Sequence, residues 1–179
     1  MKITKTRIPE VMVLEPRVFG DERGFFMESF NQREFEELGL PGKFVQDNHS
    51  HSSRNVLRGL HYQLRQPQGK LIRVVSGSVW DVAVDVRRGS RTFGQWVGEE
   101  LSAENKRMFW IPEGFAHGFL VTSDSADVLY KATDFYAPAY ERTLLWNDPR
   151  LAIAWPLTGE PQLSGKDRAG RMFSQAEVF

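Results

Sequence analysis

The chain has 179 residues, no cysteine and a formal net charge of zero, its 23 lysines and arginines balancing 23 aspartates and glutamates. The charge balance argues against a nucleic-acid binder, which carries a basic excess, and the missing cysteine excludes disulfides, thiolate metal sites and a thiol nucleophile. No stretch approaches the ~18 apolar residues of a membrane span, and the opening Met1–Arg7 has no signal-like apolar run.

A cytoplasmic protein without membrane contact is therefore expected, folded as a single domain over residues 1–179. The first well-signalled element is a helix. Asn31 is a good N-cap, Glu34 stands at the capping-box position, Phe30 and Phe35 flank the cap as a hydrophobic staple does, and Gly39 is a stop. Strands then follow at short, regular spacing: Phe44–Asn48, Val56–Gln63, Lys70–Ser76, Val79–Val86, Gln95–Leu101, Arg107–Ile111, Ala116–Val121 and Val128–Thr133. The clearest is Val79–Val86. Trp80, Val82, Val84 and Val86 share one face, and Asp81 and Asp85 lie on the other with Val79 and Ala83. Gly77 marks a hairpin turn before it. Helix is otherwise scarce apart from short turns near the C-terminus. The pattern predicts a mostly-β fold, an antiparallel sandwich or barrel with one early helix and an irregular C-terminal tail.

The chemistry-bearing residues are few, with four histidines in all. Along Leu57–Gln63, alternation places Gly59, His61 and Gln63 on one face and Arg58, Leu60 and Tyr62 on the other. An imidazole directed into a barrel can act as a general base near neutral pH, although the same pattern fits a core histidine bonded to a carbonyl. His117 follows a turn in Pro112-Glu113-Gly114-Phe115-Ala116-His117, and its spacing resembles the second motif of the cupins. A cupin metal site takes His-x-His and a carboxylate from the first motif. Here that motif reads His61-Tyr62-Gln63, an amide replaces the second imidazole, and Leu64–Gln68 holds no carboxylate, so no metal is expected. His49 and His51 sit in a polar run read as a solvated loop, with no role assigned. Arg23, Arg58, Lys70 and Lys166 are candidate anion binders. Arg58, hemmed by Leu57, Gly59 and Leu60, is expected to be buried and partnered. Tyr130 and Tyr136 can carry a proton or stack on a base, and equally can be core rings with tethered hydroxyls.

Seven fragments together carry a resemblance. They are Gly20–Phe26, Gln46–Asn48, Arg58–Gln63, Pro112–Phe119, Tyr130-Lys131 with Tyr136–Pro138, Trp146–Pro149 and Leu163–Arg168. In that order and spacing the chain resembles the dTDP-4-dehydrorhamnose 3,5-epimerase family. The resemblance implies a cupin-type antiparallel β-barrel, or jelly roll, that needs no cofactor. It implies His61 as base, Asp167 as the carboxylate orienting it, Tyr130 as proton donor across the sugar, and Lys70 as the cation near the keto oxygen. It implies substrate contacts at Arg23, Glu28, Gln46, Asp47, Asn48, Arg58, His117, Glu141 and Lys166, with Tyr136 stacking on thymine. The partner implied is a dTDP-linked 4-keto-6-deoxy sugar, and the assembly a homodimer that exchanges strands, Arg23–Glu28 serving the neighbour's site. Rival readings are an epimerase inverting one centre or a ketoisomerase of a related dTDP sugar, a metal-dependent cupin oxygenase, and a non-catalytic sugar-nucleotide sensor.

Overall fold

A computed structural model describes residues 1–179. Thirteen strands and two helices follow in the order β1 Lys2–Lys5, β2 Met12–Glu15, β3 Val18–Asp21, β4 Gly24–Met27, α1 Gln32–Glu37, β5 Gln46–Ser53, β6 Leu57–Gln63 and β7 Lys70–Ser76. Then come β8 Ser78–Asp85, β9 Trp96–Ser102, β10 Met108–Ile111, β11 Phe115–Val121, β12 Ser125–Ala132, β13 Glu141–Thr143 and α2 Gly165–Arg168. Six strands form one sheet in the order β1-β2-β10-β7-β12-β5, five form a second in the order β13-β6-β11-β8-β9, and β3–β4 is a separate hairpin. Every strand pairing is antiparallel. No helix is long and apolar enough to cross a membrane.

Burial of apolar faces explains the layering. Val13, Ile72, Val74, Phe109 and Val128 of the larger sheet meet Val79, Ala83, Leu101, Phe119 and Val121 of the smaller one, closing a sandwich around one core. The outer face of the larger sheet is covered by α1, whose Phe35 packs with Leu14, Leu71, Met108 and Trp110. Val82, Val84 and Val86 face outward, against Leu144, Leu151 and Phe173 of the C-terminal tail, while Asp81, Ala83 and Asp85 face the sandwich interior. The tail is irregular because it is a cover for that row rather than a further strand.

Most of the predicted strands are present, with shifted ends. The polar run at His49–His51 is a strand and not a loop: β5 is the edge of the larger sheet, and both imidazoles lie on Asp127 of β12, at 2.8 and 3.1 Å. β1 to β4 were not marked in the sequence. The helix forms where its signals place it, with the Asn31 side chain accepting from the N–H groups of Arg33 and Glu34, and Phe30 and Phe35 ring to ring at 4.9 Å. The reciprocal half of the capping box is missing, because the Glu34 carboxylate instead takes the N-terminal ammonium of Met1 at 2.5 Å.

One irregularity positions the site. Between β6 and β11 the register runs His61↔His117 and then Arg58↔Phe119, so three steps on β6 oppose two on β11. Gly59 is the additional residue of this bulge. Strands approach so closely here that a Cβ on Gly59 would lie 2.5 Å from Gly118 Cα and 2.7 Å from the His117 carbonyl oxygen, and Gly59 has a φ of +119°. Gly59→Ala should therefore cost about 2 kcal/mol or more in urea unfolding. An unchanged midpoint would mean that the two strands have room to separate.

Candidate active site

The bulge decides what β6 presents. Simple alternation separates Arg58 from His61, but the additional residue returns both to the inner face, where they line a cavity of about 1050 Å³ between the sheets. Arg58 is not buried as expected. Its guanidinium is exposed to the cavity, with Nε donating to Ser52 Oγ at 3.0 Å and Nη2 to the His51 carbonyl at 3.4 Å. Lys70 of β7, His117 of β11 and Tyr130 of β12 enter from the walls, and Gln46 and Asn48 from β5. Tyr136, Glu141, Lys166 and Asp167 complete the lining.

His61 and Asp167 form a close polar contact. Asp167 Oδ1 lies 2.7 Å from His61 Nε2 and also accepts from the Gly59 N–H at 3.1 Å. Its second oxygen accepts from Ser164 Oγ at 2.6 Å and the Ser164 N–H at 3.3 Å. Ser164 is the N-cap of α2 and Asp167 its N3 residue, so a capping box holds the carboxylate on the imidazole. Burial pushes Asp167 upward, but the bonds from His61, Ser164 and Gly59 outweigh it and bring the group down to about 2. An ionised carboxylate only accepts, so the proton sits on Nε2 and Nδ1 is left as the basic nitrogen.

Lys70 is buried at the cavity floor, and its ammonium has no hydrogen-bond partner. Burial brings it down to about 8, partly offset by the carboxylates of Glu141 and Asp81. The Tyr130 phenol is pushed up, chiefly by burial, so it holds its proton firmly at neutral pH. At the mouth, Glu141 links two groups: Lys166 Nζ donates to one oxygen at 2.8 Å and the Tyr136 hydroxyl to the other at 3.0 Å. Burial raises Glu141, yet the Lys166 bond and charge overcome it and the carboxyl titrates below its ordinary range.

Three predicted site residues are not brought into this cavity by their own chain. Asp47 alternates with Gln46 and Asn48, so it points to the outer face of β5, where it pairs with Lys131 at 3.0 Å. Arg23 and Glu28 are exposed, on and just after the β3–β4 hairpin, and Arg23 pairs with Asp21 at 2.5 Å. Two residues went unassigned in the sequence. Ser164 was legible as the start of a Ser-x-x-Asp box. Asp81, on the inward face of β8, holds His117 Nε2 at 2.9 and 3.1 Å and is wholly buried. Gln63, read as the amide replacing a second imidazole, is a loop clip. Its Nε2 donates to the carbonyls of Gln66 and Phe135, and its Oε1 accepts from the Ala137 N–H at 2.8 Å, which fixes the segment carrying Tyr136. No group of three or more His, Cys, Asp or Glu side chains converges as a metal-binding set.

The family model for dTDP-4-dehydrorhamnose 3,5-epimerase matches residues 5–175. The chain belongs to this family. It is 66% identical to dTDP-4-dehydrorhamnose 3,5-epimerase of Pseudomonas aeruginosa, covering 100% of this chain and 99% of the relative. Its identity to the enzyme of that name from Salmonella typhimurium is 60%, over 98% and 97% of the two chains. Among solved structures it is similar to dTDP-6-deoxy-D-glucose-3,5-epimerase of Legionella pneumophila in complex with dTDP-4-keto-L-rhamnose. The TM-score is 0.96 and the identity 56%, covering 98% of this chain and 94% of that one. The mostly-β cupin-like fold and an isomerase-class enzyme, an epimerase, follow from this membership.

The acid dependence of the Asp167 contact can be checked. Its folded value lies below the ordinary 3.8, at about 2. Its stabilising contribution is thus complete above the ordinary value and lost as pH falls through the folded one. In urea unfolding, the stability difference between wild type and Asp167→Asn should be constant near neutrality and shrink as the pH falls from about 4 to about 2. A difference that stays constant to the lowest pH would show that the carboxylate is not the group responsible.

Proposed function

We propose that this chain inverts carbons 3 and 5 of dTDP-4-dehydro-6-deoxy-D-glucose, giving dTDP-4-dehydro-L-rhamnose for dTDP-L-rhamnose biosynthesis. The observation that carries the reading is the His61–Asp167 pair facing Tyr130 and Lys70 across a cavity large enough for a nucleotide sugar. The 4-ketone acidifies the hydrogens on both flanking carbons. His61 Nδ1 takes one of them, and the electron pair of the C–H bond moves to the ketone oxygen as an enolate. Asp167 steadies the imidazolium formed. Lys70 faces the developing oxyanion in a site shielded from water, where a charge contributes several kcal/mol, on the order of 3. Tyr130 then delivers its proton from the other face and the centre is inverted.

Arg58 and Lys166 supply cations for the diphosphate, Tyr136 a ring face for thymine, and Gln46, Asn48, His117 and Glu141 polar contacts. Binding energy from the nucleotide end offsets the cost of orienting the sugar twice. For Arg23 and Glu28 we infer a role in a second copy. They lie on and just after an exposed apolar hairpin that includes Phe19, Phe25 and Phe26, and such a surface suits a dimer in which the hairpin serves the neighbouring cavity. Asp47 then contributes through the strand it belongs to and not through its side chain.

Product formation followed by NMR tests the assignments. His61→Ala and Tyr130→Phe should each lower kcat by about 10²- to 10⁴-fold while dTDP still binds in calorimetry. Full activity in either variant would remove that residue from the mechanism. Turnover should also decline as pH rises through about 8, where Lys70 loses its proton. A rate that holds steady to pH 10 would contradict a cationic Lys70.

A further inference from the structure

Behind His117 lies a carboxylate to which the mechanism above gives no part. Asp81 is wholly inaccessible, on the inward face of β8 among Val79, Ala83 and Phe119. Its one hydrogen-bonding partner is His117 Nε2, which reaches both oxygens, so a single donor serves a group with room for about four. A buried, sparsely bonded carboxylate is a poor device for stability, and an apolar residue of similar volume would suit the core better.

The charges around Lys70 indicate what the carboxylate does. The ionisable groups facing Lys70 are His61 with its partner Asp167, Asp81, His117, Tyr130 and Glu141, contributed by β6, α2, β8, β11, β12 and β13. Asp167 is occupied by His61, and Glu141 by Lys166 at 2.8 Å. Asp167 also accepts from Ser164 and Gly59, whereas Asp81 accepts from His117 alone, and Lys70 is the one ammonium without a hydrogen-bonded anion. Burial raises Asp81, and His117 and Lys70 beside it oppose that rise; Asp81 and Lys70 thus favour each other's charged form across a dry interior, where charges are screened far less than in water.

We propose that Asp81 is a positioning residue for the reaction, an interior countercharge that, with Glu141 at the mouth, helps keep Lys70 an ammonium at the cavity floor. This rests on the reading of Lys70 as the cation facing the ketone oxygen. His117 has two parts in it: its ring separates the carboxylate from the cavity, and its Nε2–H stops Asp81 from closing onto the lysine. Lys70 therefore keeps both its charge and its free N–H groups for an incoming oxyanion. A direct Lys70–Asp81 salt bridge would consume the donors the enolate needs.

The test reads the charge of Lys70 itself. Acetylation by acetic anhydride, followed at Lys70 by mass spectrometry across pH, gives its titration without substrate. In wild type the midpoint should lie near 8. In Asp81→Asn it should fall by at least about one pH unit, which makes the ratio of protonated to free amine tenfold lower at any given pH. The alkaline limb of kcat should move down with it, and KM should change little. Asp81→Glu should restore both. Should the asparagine variant not fold, Asp81→Ser, smaller than the native side chain, carries the same expectation. A Lys70 profile unmoved in these variants, or a wild-type midpoint at the ordinary lysine value, overturns the proposal. Because labelling needs no turnover, a failure of the epimerase reading would leave the labelling shift intact, whereas a failure of Asp81 would leave turnover intact and move neither profile.

Discussion

The arrangement depends on one contact, the 2.7 Å bond between His61 and Asp167. Its two partners are more than a hundred residues apart in the chain, and each is fixed by a separate local device. On the imidazole side, the bulge at Gly59 turns Arg58 and His61 to the same face and aims the Gly59 N–H at the carboxylate. On the carboxylate side, the Ser164 capping box locks Asp167 at the start of a four-residue helix. With the carboxylate ionised, the tautomer is settled and the free imidazole nitrogen is the basic one. The rest of the sandwich brings a phenol and an ammonium to the cavity that this nitrogen faces.

Charge in the cavity is handled by pairing and by graded burial. Glu141 and Lys166 neutralise each other at the mouth, where water also reaches them. The interior groups are left less completely matched. Lys70 is partnered by no hydrogen bond, Tyr130 is desolvated, and Asp81 has only His117. Groups of this kind weaken a core, and their cost is carried by the apolar layer around them, above all by Phe109, Val121, Val128 and their neighbours. Stability and proposed function thus share one sandwich interior, with Phe119 both in the apolar core and on the cavity wall.

Much of this was legible in the sequence wherever a side chain's direction follows from strand alternation or from a short signal. The eight predicted strands and the helix with its Asn31 cap were read from period and punctuation alone; the face of His61 was too, but its role and the rest of the site came from the family resemblance. What was lost is equally physical. A bulge shifts the phase of a strand, so Arg58 was placed on the wrong face and expected to be buried. The three consecutive residues Gln46, Asp47 and Asn48 cannot all face one cavity, and alternation alone would have removed Asp47. The apolar row of β8 was legible as one face of a strand, but what covers it was not, because the tail packed there has no periodicity of its own. β1 to β4 are only four residues each, too short to show a period, and the polar run of β5 gives no apolar alternation because it is an edge strand.

In the proposed reaction one imidazole base and one opposing acid exchange hydrogen at both carbons beside the ketone. Incubation of the enzyme with dTDP-4-dehydro-6-deoxy-D-glucose in heavy water tests it most directly, with the product examined by NMR. Deuterium at both carbon 3 and carbon 5, with inversion at each, is the expected result. Deuterium at only one of them would establish a single-centre epimerase, and deuterium at neither would contradict proton abstraction by His61 altogether.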